Sequence, residues 1–109
     1  MNVVGEVKGK DCIVPDDMID TGGTMSEAIM ALKRNGAEDI YCCATHGLLS
    51  GPAVDRLKNS PVTEIAVTNT VALPPERKFE KLKILSIAPL LAKAIGYTHS
   101  DQSVSSLFD

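Results

Sequence analysis

Three carboxylates and two adjacent glycines fall close together in the segment DDMIDTGGT, residues Asp16–Thr24. Glycine has no Cβ and adopts unusual backbone angles, so a ligand can approach the main chain closely at Gly22 and Gly23. A helix that begins at this point would offer unpaired N–H groups and a partial positive charge, and the hydroxyls of Thr21 and Thr24 are further donors. The segment therefore predicts a cradle for a phosphate monoester.

The neighbouring acids predict a different partner. Asp16 and Asp17 would repel a bare phosphate, so we expect them to face hydroxyl groups or a cation. A sugar that carries two adjacent hydroxyls and a phosphate satisfies both halves of the segment. One alternative is a capped loop with solvated acids. Another is the aspartic protease tripeptide, residues 20–22, but that fold is all-β, whereas here the tripeptide leads directly into a helical pattern.

Four short apolar runs alternate with helical patterns along the chain, which is typical of the α/β class. The predicted strands are Cys12–Val14, Ile40–Ala44, Ile65–Thr68 and Ile84–Ile87. Continuous apolar strands are usual in parallel sheets that are covered on both faces, so we expect a parallel sheet in a partial three-layer domain. Sites in such sheets lie at the carboxyl ends of the strands, which is where the acids and glycines fall.

The first helix is predicted from apolar residues at helical spacing. They are Met25, Ala28, Ile29 and Leu32. Thr24 and Glu27 have the spacing of a capping box at its start, and Gly36 is placed to end it at the C′ position.

Two further helices are predicted downstream. Pro52 suits the first helical position of a short helix that extends through Lys58, and a last helix covers residues 90–95 and is closed by Gly96. The polar segment LPPERKFEKLK, residues 73–83, predicts a loop.

Composition limits the class of protein. The chain has 109 residues, 44% hydrophobic and 23% charged, which fits a single folded domain. The net charge of −3 and the pI near 5.3 give no reason to expect a nucleic-acid partner. No apolar run approaches the roughly 18 residues of a membrane span, and no signal peptide is visible. We therefore expect a cytoplasmic protein with no membrane partner.

The cysteines and histidines offer weaker candidates. Cys12, Cys42 and Cys43 form no CxxC pair, so we interpret them as reduced core cysteines. His46 and Cys43 could form a nucleophilic pair, although adjacent cysteines in an apolar strand are more often packing residues. His99 is most simply a surface residue.

The chain also resembles a known family. DDMIDTGGT looks like the phosphoribosyl pyrophosphate motif of the type I phosphoribosyltransferase fold. The segments VVGEVKGK, ATHGLLSGPAVDRL, VTNTVALP, LSIAPLLAKAI and SVSSLFD, in this order, resemble the C-terminal part of ribose-phosphate pyrophosphokinases. The resemblance covers essentially residues 1–109 and implies a phosphoribosyltransferase-like domain without the N-terminal domain of that family.

The resemblance implies roles for individual residues. Asp16 and Asp17 would bind ribose hydroxyls. The loop around the 5-phosphate of ribose 5-phosphate would consist of Asp20, Thr21, Gly22, Gly23 and Thr24. The family often has alanine where Gly22 stands, and an aliphatic residue is common where Pro15 stands. The matching tail helps to form an inter-subunit allosteric phosphate site in the family, which implicates Ser103, Ser105 and Phe108; a tail merely docked by Leu107 and Phe108 is the alternative.

The implied reaction is the transfer of a diphosphoryl group. The ribose 1-hydroxyl attacks the β-phosphorus of magnesium ATP, which gives phosphoribosyl pyrophosphate and AMP. Mg²⁺ would be held largely through the substrates. The ATP contacts and the basic catalytic loop of the family precede the matched region, so we expect this chain to be inactive alone, to form homo-oligomers, and to have no catalytic side chain of its own.

Two other functions remain open. The chain could be a non-catalytic subunit that joins full-length synthetase subunits and regulates them. It could also be a base phosphoribosyltransferase, which the downstream motifs disfavour.

Overall fold

The computed structural model describes residues 2–109, and Met1 lies outside the described residues. Four strands alternate with three helices. The strands are β1 (Cys12–Ile19), β2 (Ile40–Gly47), β3 (Glu64–Thr68) and β4 (Leu82–Leu85). The helices are α1 (Gly23–Arg34), α2 (Ala53–Lys58) and α3 (Ala88–His99). Two short 3₁₀ helices, Pro75–Arg77 and Val104–Phe108, complete the described chain.

The four strands form one parallel sheet in the order β1-β2-β3-β4. Parallel neighbours require a crossover on each connection, and α1 and α2 provide the first two. The predicted α/β class and parallel sheet are confirmed. The carboxyl ends of all four strands therefore lie at the same edge of the sheet, and the loop after β1 belongs to that edge.

The described residues cover the sheet on one face only. Residues from both α1 and α2, among them Ile29 and Leu57, pack in one core with the inward side chains of β2 and β3. The alternate residues of the strands point to the other face, where Ile13 is 72% exposed and Leu85 is 58% exposed. Residues 2–109 therefore form part of the expected three-layer arrangement, with the sheet covered by α1 and α2 on one face.

Strand β1 is longer than the sequence pattern indicates. It continues past Pro15 through both acids to Ile19, paired with β2 as far as Gly47. The prediction that Pro15 ends the strand is therefore wrong. Among the described strands β1 pairs only with β2, and a proline without an N–H is tolerated in such an edge strand.

The last strand is displaced relative to the prediction. β4 covers Leu82–Leu85 rather than residues 84–87. Its first residues therefore lie inside the segment predicted as a loop, which also contains the 3₁₀ helix Pro75–Arg77.

The two ends of α1 test two sequence rules. At its start the N-cap is Gly22, and no side chain makes a capping hydrogen bond, so the capping box of Thr24 and Glu27 is wrong. At its end Gly36 has φ +89°. The N–H of Gly36 donates to the carbonyl of Lys33 and that of Ala37 to the carbonyl of Leu32, each at 3.1 Å. This is a Schellman motif, as the glycine predicted.

Helix α3 lies apart from the core. It runs through Gly96 to His99, so the prediction that Gly96 closes the helix is wrong, and none of its residues is buried. Its main contact is the 3₁₀ helix of the tail. The radius of gyration, 16.4 Å, exceeds the roughly 13 Å typical of a compact chain of this length. In residues 2–109 none of the helices combines the length and the apolar character needed to span a bilayer.

Candidate functional site

A cavity of about 220 Å³ lies between the end of β1 and the start of α1. It is lined by residues 16–25, so the seven residues predicted for the sugar phosphate all border one cavity. The acids belong to the last half of β1, whereas the glycines form the turn into α1. The structure therefore brings the predicted residues together, and their binding roles stay a prediction.

The loop backbone explains the first glycine. Gly22 has φ +77° and ψ 4°, a left-handed conformation in which a Cβ is strained. Its carbonyl accepts the N–H of Ser26 at 2.9 Å, which starts the helix. The N–H groups of the first turn of α1 have no acceptor within the helix, so they are available to an anion in the cavity.

The connection from β2 to α2 stabilises this loop by backbone hydrogen bonds. The sequence did not predict these contacts. The Ile19 carbonyl accepts the N–H groups of Leu48 at 3.0 Å and Leu49 at 3.2 Å. The Asp20 carbonyl accepts the N–H of Ser50 at 2.8 Å. These bonds join the ends of two neighbouring parallel strands, and they fix the chain where it leaves β1. Leu49 has φ +54°, a conformation that no sequence signal of a leucine predicts.

Sequence reasoning also missed Arg56 on α2. Its Nη1 donates a hydrogen bond of 3.1 Å to the carbonyl of Thr21. The same nitrogen lies 3.2 Å from the place where a Cβ on Gly23 would stand. No basic residue lines the cavity itself, so Arg56 brings positive charge to a loop that otherwise carries carboxylates. Arg56 is distant from the motif in sequence, so a search for basic residues close to the motif along the chain does not find it.

The acids are exposed and interact locally. The N–H of Asp17 donates to Oδ1 of Asp16 at 2.7 Å. This hydrogen bond is the main cause that lowers the pKa of Asp16 below its ordinary value, because it favours the charged form. Asp16 is therefore an anion at neutral pH, suited to accept hydrogen bonds from sugar hydroxyls. Within residues 2–109 no group of three or more His, Cys, Asp or Glu side chains could hold a metal ion.

The alternative of a nucleophilic pair between His46 and Cys43 is not formed, as the packing interpretation favoured. Residues three apart in a strand point to opposite faces of the sheet, and both belong to β2. His46 Nδ1 instead shares a hydrogen bond of 2.8 Å with the hydroxyl of Thr70. All three cysteines are free thiols. Cys42 is buried in the core, as predicted, whereas Cys12 and Cys43 are only half-buried.

The tail residues form a second group, against α3. The hydroxyls of Ser103 and Ser105 are 2.7 Å apart. Phe108 is 72% exposed, so it does not dock the tail, whereas Leu107 is half-buried. His99 is exposed, as predicted, and borders a cavity of about 480 Å³ between α3 and the tail. The allosteric role of the tail stays a prediction.

Comparisons with known proteins agree on one family. The phosphoribosyl synthetase-associated domain matches residues 1–109. The ribose-phosphate pyrophosphokinase of Caldanaerobacter subterraneus subsp. tengcongensis is 55% identical over 108 residues, 99% of this chain and 34% of that protein. The enzyme of the same name from Bacillus subtilis is 54% identical, again over 99% of this chain and 34% of its own length.

A solved structure shows the same fold. The phosphoribosylpyrophosphate synthetase of Mycobacterium smegmatis superposes with a TM-score of 0.89 at 49% identity, over 92% of this chain and 34% of that one. The chain thus spans about a third of the length of the relatives that it matches.

Proposed function

Because the chain belongs to the phosphoribosyl synthetase-associated domain family, we propose that it is the ribose 5-phosphate-binding part of a ribose-phosphate pyrophosphokinase. The observation that carries the proposal is the turn from β1 into α1, where left-handed Gly22 precedes the unpaired N–H groups of a helix start. Such a turn suits a phosphate group. The names of the relatives and the shared fold support the same assignment.

The sugar would bind beside the phosphate. Asp16 and Asp17 precede the loop on β1 and border the same cavity, so their carboxylates are placed to accept hydrogen bonds from ribose hydroxyls. The phosphate loop would anchor one end of the sugar and the acids would fix its hydroxyls. Two anchors of this kind orient the 1-hydroxyl, which lowers the entropic part of the barrier to its reaction.

The complete reaction is proposed for the longer protein. The 1-hydroxyl oxygen forms a bond to the β-phosphorus of ATP and its proton is released to solvent, while the bond from that phosphorus to the oxygen bridging to the α-phosphorus breaks and AMP leaves. Mg²⁺ supplies neutralisation of phosphate charge in such transfers. We propose that Mg²⁺ is bound largely through the substrates, because Mg²⁺ keeps several waters and takes few protein ligands. The ATP site would belong to another part of the protein or to a partner subunit.

The proposal also includes homo-oligomerisation and a cytoplasmic location. It further includes an allosteric phosphate site at Ser103, Ser105 and Phe108. The open sheet face supports the first of these, because apolar side chains such as Ile13 and Leu85 are exposed on it.

A second candidate is a non-catalytic subunit that associates with full-length synthetases. The description of the family as synthetase-associated favours it. Both candidates include ribose 5-phosphate binding, because the acidic segment and the glycines are intact.

Gly23→Val tests the phosphate loop. A Cβ at Gly23 would meet no atom within 4 Å except Nη1 of the exposed Arg56 side chain, at 3.2 Å, so the fold should tolerate the change. The branched side chain would block the approach of a phosphate to the main chain. We expect calorimetry to show at least about a tenfold loss of ribose 5-phosphate affinity, the equivalent of one charge-assisted contact.

Gly96→Val is the matched control, because a Cβ at Gly96 on exposed α3 has no neighbour within 4 Å. It should bind ribose 5-phosphate like the unaltered chain. Unchanged affinity in Gly23→Val would refute the phosphate loop.

A further inference from the structure

We infer that Arg56 is the positioning residue of the phosphate loop. It holds the loop so that the peptide N–H groups of the loop are available to the anion, and it supplies positive charge to the loop. The inference rests on the proposed function and extends it to a residue on another helix. Arg56 lies on α2, 35 positions from Thr21 in sequence. The loop and α2 are therefore joined by tertiary structure only.

The first step concerns the direction of one peptide group. The Thr21 carbonyl accepts the hydrogen bond of Arg56 at 3.1 Å. No peptide bond among residues 2–109 is cis, and in a planar trans peptide the N–H points opposite to the carbonyl. The N–H of Gly22 therefore points away from Arg56. A guanidinium that fixes the carbonyl fixes this donor as well.

The second step concerns the donor itself. Gly22 is buried, and within the described chain its N–H donates to no backbone carbonyl. Buried N–H groups are almost always paired in folded proteins. An anion in the cavity that Gly22 borders would provide the missing acceptor.

The third step concerns charge. The cavity is bordered by three carboxylates and by no lysine or arginine, so a phosphate dianion that enters it meets net negative charge. Arg56 is exposed and donates one hydrogen bond within residues 2–109, whereas a guanidinium has five N–H groups. The remaining donors and the full positive charge lie beside Thr21 and Gly23, where they offset the carboxylates.

The experiment compares Arg56→Gln, Arg56→Lys and the control Lys58→Gln by calorimetry with ribose 5-phosphate, inorganic phosphate and ribose. Lys58 lies on the same helix and is exposed, so its loss removes the same charge without touching the loop. We expect Arg56→Gln to bind both phosphate ligands about tenfold more weakly or worse, with ribose affinity unchanged. Arg56→Lys should recover part of the loss, and Lys58→Gln should differ from the unaltered chain by less than about twofold.

Amide spectra add a readout that a merely structural role would not alter. In the unaltered chain, inorganic phosphate should shift the Gly22 N–H resonance, and in Arg56→Gln this shift should be lost while the helix signals of α1 persist. If Arg56→Gln does not fold, the comparison of Arg56→Lys with Lys58→Gln decides, since a lysine cannot reproduce the guanidinium fork.

The outcomes separate the two proposals. If the unaltered chain binds ribose 5-phosphate and Arg56→Gln binds it equally well, the role of Arg56 is overturned and the proposed function stands. A parallel loss of ribose affinity also overturns the role, because the effect would not depend on phosphate. If the unaltered chain binds neither ribose 5-phosphate nor inorganic phosphate, the proposed function and the role of Arg56 both fail.

Discussion

At the scale of single residues, one short segment combines groups suited to a phosphate with groups suited to sugar hydroxyls. The glycines leave main-chain donors open to a phosphate, whereas the carboxylates of Asp16 and Asp17 accept hydrogen bonds and repel anions. The hydrogen bond of 2.7 Å from the Asp17 N–H keeps Asp16 charged. We expect this arrangement to discriminate a sugar phosphate from a free phosphate, because only the sugar would compensate the acids.

Replacing both Asp16 and Asp17 by Asn tests this discrimination. Ribose 5-phosphate should bind about tenfold more weakly, because two charge-assisted hydrogen bonds become neutral ones. Inorganic phosphate should bind as well as before or better, since two repelling charges are gone. Calorimetry with both ligands measures the difference.

The matched control is Asp11→Asn with Asp39→Asn, which removes the same charge. These residues lie at the amino ends of β1 and β2, where Asp11 Oδ1 accepts the Asp39 N–H at 3.2 Å. Equal gains for both ligands in the Asp16 and Asp17 double variant would mean that the acids do not bind the sugar.

Local sequence identified the residues of the loop but not those that support it. Aspartate, threonine and glycine are informative because their chemistry depends little on the rest of the fold. Arg56 and Leu49 are not informative in sequence, since their roles arise from contacts made after β2 and α2 pack against β1. The hydrogen bond between Arg56 and Thr21 has no local precursor that a pattern could reveal.

At the scale of elements, the apolar patterns located every strand, whereas the bounds were set by pairing. β1 and β2 extend together to Ile19 and Gly47, because a paired backbone continues through polar residues such as Asp16 once the neighbouring strand is present. The start of α1 differed for a related reason. The Thr24 and Glu27 pattern suited a capping box, but left-handed Gly22 starts the helix earlier and leaves both side chains outside the cap.

The alternation of buried and more exposed side chains along β2 predicts an effect of pH on the free energy of unfolding. Cys42 points into the core, and burial raises the pKa of its thiol from 9.0 to about 12. The thiol therefore ionises in the unfolded chain before it does so in the folded one. The resulting stability is fully present below about pH 9 and is lost progressively as the pH rises toward 12.

Urea unfolding between about pH 8 and pH 10.5 measures this effect. Cys42→Ala should lower stability overall because it leaves a cavity, but its stability should decline less steeply with pH than that of the unaltered chain. Cys43→Ala, on the opposite face of the same strand, should keep most of the steeper decline, because burial is the larger cause of the raised pKa of Cys42 and the charge of Cys43 the smaller one. Parallel pH profiles for the unaltered chain and Cys42→Ala would contradict the prediction.

At the scale of the whole molecule, one face of the sheet is left open, as a partial three-layer domain implies. Parallel strands are normally buried on both faces, yet here Ile13 and Leu85 are largely exposed. On α3, Leu91 and Ile95 are 52% and 70% exposed. The sequence indicated apolar strands but not which of their faces the chain itself covers.

We therefore expect self-association at micromolar concentration. Ile13→Lys combined with Leu85→Lys should reduce the average mass measured by light scattering, because two charges on the open face oppose its burial. Met30→Lys, which changes a 43% exposed methionine on α1, is the control and should not alter the mass. A strictly monomeric mass of the unaltered chain would contradict the prediction.

The last prediction is that the purified chain does not make phosphoribosyl pyrophosphate by itself. Diphosphoryl transfer requires two substrates held in line and the charge on the β-phosphate neutralised. The proposed sugar-phosphate cavity has Arg56 as its adjacent cation, whereas the ATP contacts are proposed for another part of the protein or for a partner subunit. Loss of each preorganised electrostatic group lowers the rate by about 10² to 10³, so we expect no turnover without those contacts.

The turnover of the purified chain is measured as AMP release from magnesium ATP and ribose 5-phosphate. The measurement is made with and without a full-length relative such as the Bacillus subtilis enzyme. The chain alone should release no AMP above background. If adding the chain changes the rate at which the full-length relative releases AMP, the associated subunit is favoured. Repeating the measurement with Gly23→Val then shows whether that change of rate depends on ribose 5-phosphate binding by the added chain. Robust AMP release by the chain alone would show that a third of the enzyme contains both substrate sites, and that the ATP contacts lie within these 109 residues.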